Sequence, residues 1–248
     1  MPRALKRQHQ AGIVLARNSF NCWCLNFFAR YVCLVDELLV KVADKTLTKD
    51  ELRRKVEQDF GLLPVLIKGT CSPKASVRYG CAKVLMDLSE VYPEKLYGYW
   101  DAFVGLLDSR YRILTWNALA VIANLAKVDE EQRFDAVFDK YYGFLNSEYM
   151  VTVANVVGNS GKIALAKPHL VSRITAELLK VEKVAVTPHL TEECKRVIAE
   201  KAVGTFDLFF YRMEEKEKRN VISFVEGQLD SSRSTLRAKA ADFLKKWR

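Results

Sequence analysis

The chain predicts an all-α solenoid: about five helix pairs stacked behind an N-terminal capping helix. Three observations carry that expectation. A polar turn, Leu107-Asp108-Ser109, opens a small-residue-rich helix from Tyr111 to Lys127, and similar turns stand at Leu145-Asn146-Ser147, Leu229-Asp230-Ser231 and, more loosely, before Ser72. The steps are regular: 37 residues from Ser72 to Ser109, 38 to Ser147, then 84 to Ser231, or two steps of 42. A period of roughly 37–47 residues with two helices per unit is the mark of a stacked helical array. Glycine (11) and proline (6) are few in the 248 residues, and hairpin dipeptides such as Asn-Gly are missing.

Residues 1–19 form a first region, basic and free of acids: Arg3, Lys6, Arg7 and Arg17 give it +4. They read as a flexible arm, and their Arg-rich, acid-poor composition equally suits an organelle-targeting peptide. Residues 20–248 form the solenoid domain. Phe20–Val35 is strongly apolar but is interrupted by Arg30 and is shorter than the ~20 residues a membrane span requires. It reads as the start of an amphipathic helix running to about Ala43, with Trp23, Phe27, Tyr31, Leu34 and Leu38 in one stripe, covering the first repeat's apolar flank.

Thr48-x-x-Glu51 is a capping box that starts the first outer helix. Gly61-Leu62-Leu63-Pro64 breaks or bends it, because Pro64 lacks an amide donor. Ser72-Pro73 has the form of a helix start, Ser at the N-cap and Pro first in the helix. Outer helices are then expected near 94–107, 130–145, 168–181 and 216–229. The inner helices fall near 73–92, 110–127, 148–166, 190–212 and 232–247. The aromatics Tyr97, Trp100, Phe103, Phe134, Phe138, Tyr141 and Phe144 supply bulk from the outer layer. Leu114, Trp116, Ala118, Val121, Ile122 and Leu125 make the second inner helix apolar over most of its circumference.

The inner segment Val77-Arg78-Tyr79-Gly80-Cys81-Ala82-Lys83-Val84-Leu85 resembles the inner-helix signature of HEAT repeats, and Leu236-Arg237-Ala238-Lys239-Ala240-Ala241 repeats it. The family's turn Asp matches Asp108 and Asp230, with Asn146 in its place in the third unit. The second unit departs, having Leu114-Thr115 where a hydrophobe and Arg are expected. The resemblance covers about residues 45–248 and implies a right-handed α-α superhelix of the HEAT/armadillo type. It is nearly silent on activity, since such solenoids serve many roles. Arg78 and Arg237 are expected to bond turn carbonyls or a neighbouring Asp.

Charge and motifs narrow the function. The net charge of +9 sits at the ends, +4 in residues 1–19 and +5 in residues 232–248, while the remaining basic and acidic residues cancel. A uniformly basic nucleic-acid face is therefore not implied. The six cysteines are scattered, mostly in apolar runs and without a CxxC, as buried free thiols of a reducing, cytoplasmic setting are. His9, His169 and His189 suggest no metal cluster, and no cofactor is called for. Gly158-Asn159-Ser160-Gly161-Lys162 lacks the spacing and preceding strand of a phosphate loop and reads as a closely packed inner-helix segment. Paired acids stand at helix starts, where they favour the dipole, and no nucleophile–base set is apparent.

What remains is one polar or small stripe per inner helix. It superposes Gly80, Asn117, Asn155 and Lys239, then Lys83, Ala120, Gly158 and Asp242, then Asp87, Asn124, Lys162 and Lys246, with Arg196, Glu200 and Asp207 from the fourth unit. Stacked stripes make a continuous concave surface, and Asn amides both donate to and accept from a peptide backbone. The expected function is a non-catalytic scaffold that binds a protein or peptide through Lys83, Asp87, Asn117, Asn124, Asn155, Lys162 and Arg196. A second reading is nucleic-acid binding, by resemblance to HEAT-like alkylpurine DNA glycosylases. That resemblance implies concave-face Trp and Asp residues holding a damaged nucleotide. Here Trp100-Asp101 lies on an outer helix, Trp116 is followed one turn later by Ala120, and no basic stripe lines the inner helices.

Overall fold

A computed structural model describes residues 37–248. Residues 1–36 lie outside this range, and with them the expected basic arm, most of the expected capping helix, His9 and Cys22, Cys24 and Cys33. The described chain opens with residues 37–43, the helical end of the expected cap (α1), whose Val42 is buried and whose Leu38 and Leu39 pack on the core.

Five helix pairs follow. In the first, outer α2 (Lys49–Gln58) and α3 (Leu63–Gly69) precede inner α4 (Ala75–Val91). Thr48 closes the capping box, its hydroxyl accepting from the Glu51 amide at 3.2 Å while Glu51 accepts from the Thr48 amide at 2.8 Å. The break at Pro64 is present, bridged by the 3₁₀ turn Phe60–Leu62. The second pair is α5 (Pro93–Leu96) and α6 (Trp100–Leu106) against α7 (Arg112–Leu125). Its outer element was expected unbroken; Tyr97–Tyr99 instead form a 3₁₀ turn at the weak helix former Gly98, and Tyr97 reaches across to Asp129. The remaining pairs are α8 (Arg133–Gly143) with α9 (Met150–Ala166), α10 (Val171–Leu179) with α11 (Glu192–Phe209), and α12 (Glu215–Glu226) with α13 (Ser234–Trp247). Inner helices pack consecutively, α4 on α7, α7 on α9, α9 on α11 and α11 on α13.

The core runs unbroken along the stack. Outer-layer Trp100, Phe103, Phe134, Phe138 and Tyr141 are each at most 2% exposed, as their helical spacing predicts. Trp116 is corrected from core to half-buried, and its Nε1 donates to Thr152 Oγ1 at 3.0 Å. The Gly158–Lys162 segment is helical, and a Cβ at Gly161 would stand 2.6 Å from Leu208 Cδ1, so α11 lies close against it.

The turn hydroxyls have a common task. Ser72, Ser109, Ser147 and Ser231 each accept from the amide two residues on, at 3.2–3.3 Å. Ser72 is therefore a turn residue and not the N-cap; α4 starts at Ala75 behind Lys74. Thr187 makes the same bond to the His189 amide at 3.2 Å. It is the missing fourth mark, 40 residues after Ser147 and 44 before Ser231.

Candidate functional site

Each inner helix leaves one stripe uncovered, and the stripes lie side by side. On α4 it runs through Tyr79, Lys83, Asp87 and Glu90; on α7 through Ile113, Asn117 and Ala120. On α9 it holds Val151, Asn155, Gly158 and Lys162, and on α11 Lys201, Gly204 and Leu208. Ile113, Val151 and Leu208 are among the most exposed large hydrophobic side chains of the described residues. The floor of this groove alternates small and polar positions because the helices must approach closely there. Lys201 lays its stem over Gly158, which has no Cβ to obstruct it.

The expected contact residues differ in how free they are. Asn117 is half-exposed and no side-chain hydrogen bond holds it among the described residues. Lys83 and Asp87 pair along α4 at 2.5 Å. Arg196 pairs with Glu193 at 2.8 Å. Asn155 turns its amide back onto its own helix, Nδ2 donating to Val151 O at 2.8 Å, which leaves its oxygen and its second N–H for a ligand. Asn124 departs most from expectation. It is 9% exposed, donates to Ser89 Oγ at 2.9 Å and accepts from Lys162 Nζ at 2.8 Å. Its amide is satisfied inside the wall, and it ties α4, α7 and α9 together. Lys162 also reaches Glu90 at 3.1 Å.

The far end of the groove carries carboxylates, and what the spacing did not predict for Glu200 and Asp207 is that both are tied to the last unit. Glu200 accepts from Arg233 Nε and Thr235 Oγ1, both at 2.7 Å, and Glu193 accepts from Arg233 Nη1 at 2.6 Å. The bond from Arg233 is the main cause holding the Glu200 carboxyl below its ordinary range. Asp207 accepts from Lys246 at 2.8 Å and from Trp247 Nε1 at 2.6 Å. Burial pushes its carboxyl up, but these bonds outweigh burial and leave it lowered. Part of the basic C-terminal surplus thus neutralises α11. The signal was available: Arg233 lies 33 residues from Glu200 and Lys246 lies 39 from Asp207, about one repeat.

The turn arginines behave as expected. Arg78 Nη1 donates to Ser72 O at 2.7 Å and Arg237 Nη1 to Ser231 O at 2.6 Å. Among the described residues no group of His, Cys, Asp and Glu is placed to hold a metal ion, and no helix is long and apolar enough to cross a membrane. Cys81 is buried, which pushes its thiol up to about 12.

No family model and no curated protein matches the chain. Solved structures do. A designed armadillo repeat protein, YIII(Dq)4CqI, superposes with a TM-score of 0.56 at 16% identity, covering 85% of this chain and 90% of its own. A second, YIII(Dq.V1)4CPAF, was solved in complex with the peptide (KR)4; it gives 0.56 at 14% identity over 86% and 91%. Computationally designed armadillo repeat proteins for modular peptide recognition give 0.54 at 17% over 85% and 90%. At such identities the likeness shows the fold alone: an armadillo/HEAT-like repeat solenoid.

Proposed function

We propose that the protein is a non-catalytic scaffold whose inner-helix groove binds an extended peptide or protein segment. The observation that carries this reading is the uncovered stripe continuing across α4, α7, α9 and α11, where exposed Ile113, Val151 and Leu208 alternate with polar groups. Apolar side chains left in water beside unsatisfied amides suit a ligand that has both side chains and a backbone to offer. Lys83, Asp87, Asn117, Asn155, Lys162 and Arg196 are the proposed contacts, with Asn124 supporting the wall behind them. The designed neighbours, one of them holding a peptide, support a solenoid of this shape as a peptide receptor. Nucleic acid suits the groove less well, because Asp87, Glu90, Glu200 and Asp207 line it.

Panning a displayed peptide library on the full chain tests the reading. Wild type should enrich a sequence family that Asn117→Arg/Ala120→Arg does not, since both substitutions fill the groove without entering the core. Equal enrichment on the two proteins would sink the proposal.

A further inference from the structure

Three arginines stand along one rim of the solenoid, where outer helices turn into inner ones, without a carboxylate partner among the described residues. Arg78 is only 5% exposed. Its Nη1 bonds the turn carbonyls of Ser72 and Pro73 (2.7 and 3.2 Å), its Nη2 reaches Tyr79 Oη only at 3.5 Å, and its Nε is buried with no hydrogen-bond partner. The Arg78 guanidinium carbon lies 3.7 Å from the centre of the Tyr111 ring, and that of Arg110 approaches the same ring at 4.8 Å. Arg110 Nη2 also donates to Tyr111 Oη at 2.7 Å. Arg112 covers the Tyr149 ring at 4.0 Å. Among the described residues none of the three lies within 4 Å of an Asp or Glu, whereas Arg133 and Arg173 each hold one and Arg233 holds two. The turn's own acid, Asp108, pairs instead with Lys140 at 2.7 Å.

A cavity of about 330 Å³ opens between the two turns, with Thr70, Cys71 and Ser72 on one side, Ser109, Arg110 and Tyr111 on the other, and Arg78 in its wall. A buried guanidinium without a counter-charge is costly, and ring faces and carbonyls offset only part of that cost. A carboxylate is the group that matches its planar fork. Resting on the peptide-groove reading, we propose that this cavity seats an acidic side chain of the bound peptide. Arg78 and Arg110 hold the first carboxylate and Arg112 meets a second one further along the rim. The cationic stretch is short. Glu148 occupies in the next turn the place Arg110 has in this one, and it forms no ion pair among the described residues. A run limited to two turns fits an acidic peptide motif; a nucleic-acid backbone would need cations along a longer track.

Fluorescence anisotropy on the full chain, with fluorescein-labelled hexaglutamate as the probe, tests this. Hexalysine and a single-stranded oligothymidylate serve as comparisons. Hexaglutamate should bind wild type, and binding should weaken as salt rises from about 50 to 200 mM. In Arg110→Gln/Arg112→Gln it should weaken by about tenfold or more. Both side chains are exposed, so the variant should melt like wild type; Arg78 is left intact because it closes its turn. Absence of hexaglutamate binding, equal affinity in the variant, or tighter binding of the oligonucleotide would each overturn the proposal. A displayed library enriched by wild type and by this variant alike, without acidic residues, would remove the carboxylate-binding pocket and leave the peptide groove standing.

Discussion

Asp129 is 3% exposed and Lys167 5%, and they meet at 3.0 Å between Nζ and Oδ2, with Lys167 also donating to the Asp129 carbonyl. The carboxylate further accepts from Tyr97 Oη at 2.6 Å and from the Arg133 and Phe134 amides at 2.8 and 3.0 Å. Burial pushes this carboxyl up. The bonds from Tyr97, the Phe134 amide, Lys167 and the Arg133 amide outweigh burial and hold it below its ordinary value. The Tyr97 phenol moves the opposite way, up to about 12, through burial and its bond to that carboxylate. Because the folded carboxyl titrates below the unfolded one, its stabilisation is complete above the ordinary carboxylate range and is lost as pH falls through that range. Asp129→Ala should cost about 3–5 kcal/mol in urea unfolding at neutral pH, since it strands a buried ammonium. Between about pH 5 and 3 it should lose less stability than wild type does, having no carboxylate there to protonate. A cost under about 1 kcal/mol would show that the pair is solvated.

Two glycines at helix interfaces separate essential closeness from incidental closeness. A Cβ on Gly69 would lie 2.5 Å from Cys81 Sγ and 3.1 Å from Leu39, both packed between α1, α3 and α4. Gly69→Ala should therefore destabilise by about 1–3 kcal/mol. At Gly158 the obstacle is the flexible stem of Lys201, which can swing into solvent, and helix propensity favours alanine by about 1 kcal/mol. Gly158→Ala should be neutral or stabilising, so in thermal melts only Gly69→Ala should lower the midpoint. The pairing of helices was legible because the Ser-turn ladder and the 3.6-residue periodicity point the same way. The fourth rung escaped because Thr187 supplies its hydroxyl and the Val181–His189 connector sets it 40 residues from Ser147. The site was less legible. Periodicity assigns Asn124 and Trp116 to a helix face, but whether a neighbouring helix covers them depends on partners such as Ser89 and Thr152, 35 and 36 residues away. Asn155 is partly exposed on α9, and its bond to Val151 O cannot be read from spacing.

At the scale of the molecule, the charge segregation seen in the sequence becomes partly a set of ties between units, with Arg233 and Lys246 returning from α13 to acids of α11. The buried pair has a wider reach. Tyr97 belongs to the second unit, Asp129 to the link between the second and third, and Lys167 to the exit from the third. A chain of stacked pairs stretched by its two ends would ordinarily peel one pair at a time, each extending the tether by a similar length. Here the middle of the stack is pinned by a single bolt. In optical-tweezers traces the second and third units should release in one long extension, and Lys167→Met should split that extension into two shorter ones.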